Sequence, residues 1–171
     1  MNVEFRRATA SDARTLTETR RKVWATTYRG IYPDEMIDQY DYARHSARDA
    51  QRISDPENDI FLVWDGEQCV GYFYYGPCGY GTYRDFDLCL NSLYFLPEYR
   101  RMGLGNRVFA QLRQVCRERG LTKFFCGCSC HNLPAQAFYR KMGGIVGEVH
   151  DGHADKAEDI LYFEFYLGEN V

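Results

Sequence analysis

The stretch from Leu93 to Arg119 leaves the chain little choice of architecture. An apolar run, Leu93-Tyr94-Phe95-Leu96, reads as a strand and meets Pro97, and a basic pair, Arg100-Arg101, then leads into Gly103-Leu104-Gly105-Asn106. From there Leu104, Val108, Leu112, Val115 and Cys116 recur at helical spacing, and Gly120 is placed to stop the helix. The first turn of a helix carries up to four N–H groups with no intrahelical partner and the positive end of the dipole. Glycines at that turn remove side chains, so an anion such as a phosphate approaches the backbone closely. Arg100, Arg101 and Arg107 add formal charge. The dinucleotide fingerprint wants a third glycine where Val108 stands, and the nucleotide P-loop wants a Gly-Lys-Ser/Thr that the chain lacks.

Around this centre the remaining segments predict one α/β domain over residues 1–171. Asn2 to Arg7 alternates as a short edge strand, and Ser11 is positioned to cap a helix from Asp12 to about Tyr28. Arg29-Gly30-Ile31-Tyr32-Pro33 breaks that helix, and a second helical region runs from Asp34 to Arg52. Strand signals follow at Asp59–Trp64, Cys69–Gly76 and Phe86–Leu96, the first two joined by a hairpin-type turn at Asp65-Gly66-Glu67-Gln68. Pro77 to Arg84 reads as a mobile loop. After the glycine-led helix come a strand (Leu121–Cys130), a helix (Leu133–Met142, ended by Gly143) and two strands (Ile145–Val149, Asp159–Leu167). The order is β-α-α-β-β-β-α-β-α-β-β.

Charge is informative locally. Between Tyr99 and Lys123 seven cations face one acid, a local +6, whereas the whole chain is −3, which puts −9 on the remainder. That division suits an anionic ligand on the basic stretch and a cationic partner elsewhere. The acidic total and the lack of any recognition pattern argue against nucleic acid. The longest apolar run, Ile60–Trp64, is far short of the ~20 residues of a membrane span. Glu4, Arg6 and Arg7 stand where a secretory signal would be apolar, so a cytoplasmic setting with seven free thiols is expected. Cys126, Cys128, Cys130 and His131 invite a metal reading. Strand positions i and i+2 lie ~6.8 Å apart along the chain, however, while the sulfurs on one zinc lie within about 4 Å of each other, so no metal site is expected.

Arg100-x-x-Gly103-x-Gly105 resembles the coenzyme A pyrophosphate loop of the GNAT superfamily of N-acyltransferases. A second segment, Asn132-Leu133-Pro134-Ala135-Gln136-Ala137-Phe138-Tyr139-Arg140-Lys141-Met142-Gly143, is similar to the later N-x-x-A-x-x-F-Y-x-x-x-G helix of that family, at the family's separation from the first. The resemblance spans residues 3 to 167 and implies a mixed, mostly antiparallel central sheet flanked by helices. It implies acetyl-CoA as co-substrate and no metal. Leu93, Tyr94 and Phe95 would pair with the pantetheine arm, and main-chain amides of Arg101, Met102, Gly103, Leu104, Gly105 and Asn106, next to Arg100, would hold the diphosphate. Asn132 would touch the pantetheine or cap its helix. Tyr139 would stand near the sulfur; Phe138 takes the buried face, and Tyr139, turned ~100° from it, is aimed at the cleft flank.

The implied reaction is direct attack of a small-molecule or peptide amine on the thioester in a ternary complex, with a non-catalytic acyl-CoA sensor or interaction domain as the alternative. The positions where some members carry a basic glutamate are Cys89 and Gly127 here. Asp87, two residues from Cys89 and so on the same strand face, is the candidate base or water-holder, ahead of Glu35, His150 and Glu164. The acceptor would be chosen by Tyr28–Asp34, which is aromatic, and by His150–Asp159, which is acidic, favouring a cationic amine. The aromatic last strand (Tyr162, Phe163, Phe165, Tyr166) is a candidate homodimer edge.

Overall fold

A computed structural model describes residues 2–79 and 81–168. Its strands are β1 (Val3–Arg7), β2 (Asp59–Asp65), β3 (Gln68–Gly76), β4 (Cys89–Phe95), β5 (Lys123–Ser129), β6 (Ile145–His150) and β7 (Ile160–Tyr166). The helices are α1 (Ala13–Thr27), α2 (Asp34–Asp38), α3 (Tyr42–Ser54), α4 (Leu104–Glu118) and α5 (Leu133–Lys141). Seven strands hydrogen-bond in the order β1-β2-β3-β4-β5-β7-β6. β1–β2, β2–β3, β5–β7 and β6–β7 pair antiparallel, whereas β4 and β5 run parallel at Cys89 and Phe125. The mixed, mostly antiparallel α/β sheet expected from the sequence is therefore the one found. The chain forms two compact units, residues 1–76 with 92–102 and residues 77–91 with 103–171, and β4 is divided between them.

In the first unit α1 buries Ala13, Leu16, Thr17, Arg20 and Val23 along one stripe, the i, i+3, i+4, i+7 spacing of a helix lying on a core. Arg20 belongs to that stripe because Asp49 of α3 meets it there: Nη2 donates to Oδ1 at 2.7 Å and Nε to Oδ2 at 3.2 Å. The Thr17 hydroxyl joins the same carboxylate at 3.0 Å, and Arg20 Nη1 donates to the Tyr72 hydroxyl at 3.2 Å. Both charges are almost wholly removed from water, 4% and 0% exposed, so the pair fixes how α1 and α3 meet. Burial pushes the Tyr72 hydroxyl up to about 12, which keeps it a neutral partner for the guanidinium. The helix expected from Asp34 to Arg52 is two helices. Asp41 accepts the Arg44 N–H at 2.9 Å and caps α3, and a capping carboxylate at that place ends one helix and starts another.

In the second unit Leu104, Val108, Phe109, Leu112 and Cys116 form the buried face of α4. Phe109 sits at the middle of an aromatic core, with ring centroids 5.0 Å from Phe165, 5.5 Å from Phe138 and 5.7 Å from Phe124. The segment expected to be a mobile loop is pinned at its end, at Tyr83 and Arg84. Tyr83 is buried, stacked 4.7 Å from Phe125 and 4.5 Å from Tyr162, and its hydroxyl donates to Glu164 at 2.7 Å. Arg84 adds 2.6 Å to the same carboxylate and 3.0 Å to Glu148. Glycine and proline content signals a loop, but a single buried aromatic with a buried carboxylate decides whether the loop is held.

Candidate functional site

The turn after β4 is built from hydrogen bonds between near neighbours. Tyr99 N–H donates to Leu96 O at 2.9 Å and Arg100 N–H to Pro97 O at 3.2 Å. Two residues then adopt left-handed backbone, Arg101 at φ 62° and Gly103 at φ 80°. For Arg101 this conformation costs about 1–2 kcal/mol relative to ordinary backbone, a strain that persists only where the surroundings impose it. Gly103 stands at the N-cap of α4, and among the described residues no side chain caps that end. Arg101, Met102, Gly103, Asn106 and Arg107 are exposed there. The result is a fifteen-residue helix whose first turn is open to solvent, uncapped and flanked by arginines, an arrangement with anion affinity.

The two glycines of the turn serve different ends. A Cβ on Gly103 would meet nothing within 4 Å, so the left-handed φ is the reason for glycine there. On Gly105 a Cβ would lie 2.6 Å from Phe138 Cζ and 2.8 Å from Cε2. Gly105 therefore lets α4 and α5 approach each other, a reason that reading the turn for its phosphate chemistry alone did not supply.

Arg100 is committed within the first unit. Its Nε donates to Phe95 O at 3.0 Å and its Nη2 to the hydroxyls of Thr26 and Thr27, each at 3.1 Å. It ties the end of β4 to the end of α1. Leu93, Tyr94 and Phe95 are half-buried, and Gly71 of β3 makes room for them: a Cβ there would lie 2.5 Å from Tyr94 O. The Tyr94 hydroxyl is 2.6 Å from that of Tyr28, whose ring stacks on Tyr32 at 4.5 Å. The aromatic α1–α2 segment thus reaches β4 directly. Arg29 pairs with Asp34 at 3.0 Å and Asp38 at 2.5 Å across the same segment.

In the second unit Asn132 caps α5, its Oδ1 accepting the Ala135 N–H at 3.2 Å. Tyr139 departs from the expected orientation. It is the more buried of the aromatic pair at 8% exposure, while Phe138 is half-buried beside Gly105. The Tyr139 ring lies 5.4 Å from Phe138, 5.5 Å from Phe163 and 6.3 Å from both Phe109 and Phe165, and its side chain acts to lower the pKa of the Cys126 thiol. Burial raises that thiol well above its ordinary range, so it stays protonated. A 100° rotation along α5 separates the two rings, but α4 and the sheet enclose both, and the enclosure is a tertiary fact.

Asp87 is also placed differently. β4 begins at Cys89, so Asp87 precedes the strand and is exposed, and alternation no longer sets it on the face of Cys89. The late acidic segment likewise changes character. Asp159 is buried and accepts from His153 N–H at 3.0 Å, from His153 Nδ1 at 2.9 Å and from His131 Nε2 at 2.8 Å. The His153 amide, with both imidazoles, draws its carboxyl down to about 2. Its charge holds His153 of the same segment and His131 from the start of α5 rather than facing outward. Nothing in the spacing of His131, His153 and Asp159 signals this node, because it joins the start of α5 to the β6–β7 connection. Among the described residues no group of three or more His, Cys, Asp or Glu is placed to hold a metal ion, and no helix is long and apolar enough to cross a membrane.

Residues 18–144 match the profile of the Acetyltransferase (GNAT) family. The chain belongs to that family. The expected class, an acetyl-CoA-dependent N-acyltransferase, is accordingly the one found. A spermidine N(1)-acetyltransferase of Thermoplasma acidophilum is 22% identical over 153 residues, 84% of this chain and 88% of that protein. A thialysine N-epsilon-acetyltransferase of Caenorhabditis elegans is 31% identical over 81 residues, 46% of this chain and 49% of that protein. Among curated relatives the chain spans as little as 30% of the partner's length, in a mycothiol acetyltransferase of Corynebacterium glutamicum. Among solved structures, a PaiA N-acetyltransferase of Thermoplasma acidophilum in complex with coenzyme A has the same fold, with a TM-score of 0.77 at 21% identity over 97% of this chain and 99% of that one. These relatives lend no support to the alternative of a non-catalytic domain.

Proposed function

We propose that this GNAT protein moves an acetyl group from acetyl-CoA to the primary amine of a small, cationic acceptor by direct attack. The observation that carries the reading is the open, uncapped first turn of α4 behind left-handed Gly103, with Arg101 and Arg107 beside it. In this proposal the main-chain amides of Gly103 to Asn106 hold the diphosphate, and Arg101 and Met102 supply the approach to it. Leu93 to Phe95 pair with the pantetheine arm, which Asn132 also touches. When bound, acetyl-CoA supplies the activated acyl group; the chain's part is to bind, orient and manage protons.

Two proton problems follow. A lysine-like amine with pKa ~10.4 is ~4–5 kcal/mol from its neutral form at pH 7, so the acceptor sheds a proton to a base or a water chain before attack. A phenol giving its proton to a thiolate of pKa ~8.5 moves uphill by ~2 kcal/mol. Tyr139 is therefore assigned as a hydrogen-bond donor to the leaving sulfur, its ring held rigid by four aromatic neighbours. A cationic acceptor is supported by the acidic remainder of the chain, by the tyrosine cluster of Tyr28, Tyr32 and Tyr94, and by relatives named for spermidine and thialysine.

The test is thiol release from acetyl-CoA against a panel of polyamines, aminoglycosides, amino acids and peptide N-termini, run beside calorimetric titration with CoA. Saturable CoA binding with turnover on a polyamine or another cationic amine is the expected result. CoA binding without turnover on any amine refutes transfer to an amine, and absence of saturable binding refutes the donor site itself.

A further inference from the structure

All seven cysteines are thiols in the structure, and two of them meet in the segment that leads into β4. Cys89 opens β4 and is buried, paired with Phe125 of β5. With Tyr83 and Phe125 it forms a small buried cluster, and half-buried Cys78 packs against that cluster.

Asn91 fixes the backbone around Cys78 in that place. It stands two residues after Cys89, so the two side chains share a face of β4. Its amide group holds both peptide groups that flank Cys78: the Gly79 N–H donates to Oδ1 at 3.0 Å, and Nδ2 donates to the Pro77 carbonyl at 2.9 Å. Nδ2 also donates to the Cys89 carbonyl at 3.4 Å, so one side chain ties together the main chain of both cysteines.

The two thiols are unequal. The Cys78 side chain and burial push the Cys89 thiol well above its ordinary range, so it stays protonated and sheltered. Cys78 is the member of the pair that a small solute reaches. An accessible thiol held beside a sheltered one is the arrangement in which oxidation of the first is resolved by the second. Cys126 and Cys128, two positions apart on β5, are both buried and lack the accessible member.

We propose that Cys78 and Cys89 are a dithiol pair that a hydroperoxide converts to an intramolecular disulfide, fastening the loop before β4. The Cys78 thiolate attacks the terminal oxygen of the hydroperoxide, the O–O bond breaks, and the proton lost by Cys78 goes to the departing alkoxide or hydroxide. Cys89 Sγ then attacks the sulfur of the resulting sulfenic acid; the S–S bond forms, the S–O bond breaks, and hydroxide leaves with the Cys89 proton as water. Two electrons pass from the two sulfurs to the peroxide, and a dithiol reductant reverses the bond. The bridge secures the start of a segment whose end Tyr83 and Arg84 already hold on Glu164. It uses none of the residues assigned to acyl transfer and stands independently of that reading.

The reduced chain is treated with equimolar hydrogen peroxide, its remaining thiols are alkylated in guanidinium chloride, and the non-reduced digest is sequenced by mass spectrometry. The expected result is a thiol titre two below the seven of the reduced chain and a peptide linking Cys78 to Cys89, both reversed by dithiothreitol. In Cys89→Ser, dimedone should trap sulfenic acid at Cys78 at least tenfold more than in the unsubstituted chain, and Cys78→Ser should form no link at Cys89. The map of the unsubstituted chain decides even where Cys89→Ser fails to fold. A bridge between any other two cysteines, Cys89 to Cys126 included, overturns the proposal. So does oxidation of Cys78 that stops at sulfenic or sulfinic acid with Cys89 still open to alkylation, or survival of both thiols at a roughly hundredfold excess of peroxide.

Discussion

The two glycines of the α4 turn make the sharpest test, because one sequence signature conceals two physical causes. Gly103→Ala forces a Cβ into left-handed backbone, a cost of about 1–2 kcal/mol, with no neighbour to strike. Gly105→Ala is in helical backbone, where alanine is favoured over glycine by up to about 1 kcal/mol. Its new Cβ would stand 2.6 Å from Phe138 Cζ, though, and overpacking of that kind costs about 1–3 kcal/mol. Phe138→Leu removes the struck atom. Urea unfolding of the four proteins in each double-mutant cycle should therefore give a favourable coupling of about 1–2 kcal/mol for positions 105 and 138, and none for 103 and 138. Titrating the same proteins with CoA separates packing from ligand approach. Gly105→Ala combined with Phe138→Leu should bind CoA as Phe138→Leu alone does, since that Cβ points at α5. Zero coupling at 105 and 138, or equal coupling at both glycines, would refute the reasoning.

Tyr139→Phe should slow acyl transfer at least tenfold while leaving acetyl-CoA affinity unchanged; unchanged turnover in the thiol-release assay removes the donor role. Arg20→Met leaves the Asp49 carboxylate with the Thr17 hydroxyl and, at 3.7 Å, Arg52, and should cost about 3 kcal/mol, the low end for a broken buried pair, read as a fall of roughly 6–12 °C in Tm. The depressed carboxyl of Asp159 contributes stability above its ordinary value of 3.8 that is lost as pH falls through about 2. Asp159→Asn should therefore lower stability between pH 4 and 7 and flatten the acid limb below pH 4. Identical acid slopes in circular-dichroism titrations would contradict that assignment.

The strand, proline, arginine pair and glycines around Arg100 were legible because they act locally: a backbone turn and a helix end are specified within a dozen residues. The same holds for Asn132, whose capping bond spans three residues, and for Gly120 and Gly143, both left-handed just past α4 and α5. Legibility failed where a side chain answers to a distant segment. Arg100 looks like a phosphate ligand in sequence, yet its guanidinium reaches Thr26 and Thr27 more than seventy positions away. Asp159 looks like part of a solvated acidic loop until His131 arrives from the start of α5. Asp87 was placed by strand alternation, an argument that fails if the strand begins two residues later.

Amino-acid order alone determined the family, the succession of strands and helices, and the glycine turn that opens α4, since these rest on periodicity, glycine conformations and adjacent residues. Only tertiary structure decided that Gly105 serves helix packing and that Tyr139 is enclosed by four aromatic rings. It likewise decided that Tyr83 and Glu164 hold the loop before β4. Burial and long-range hydrogen bonds are properties of positions brought together in space, and no local pattern carries them.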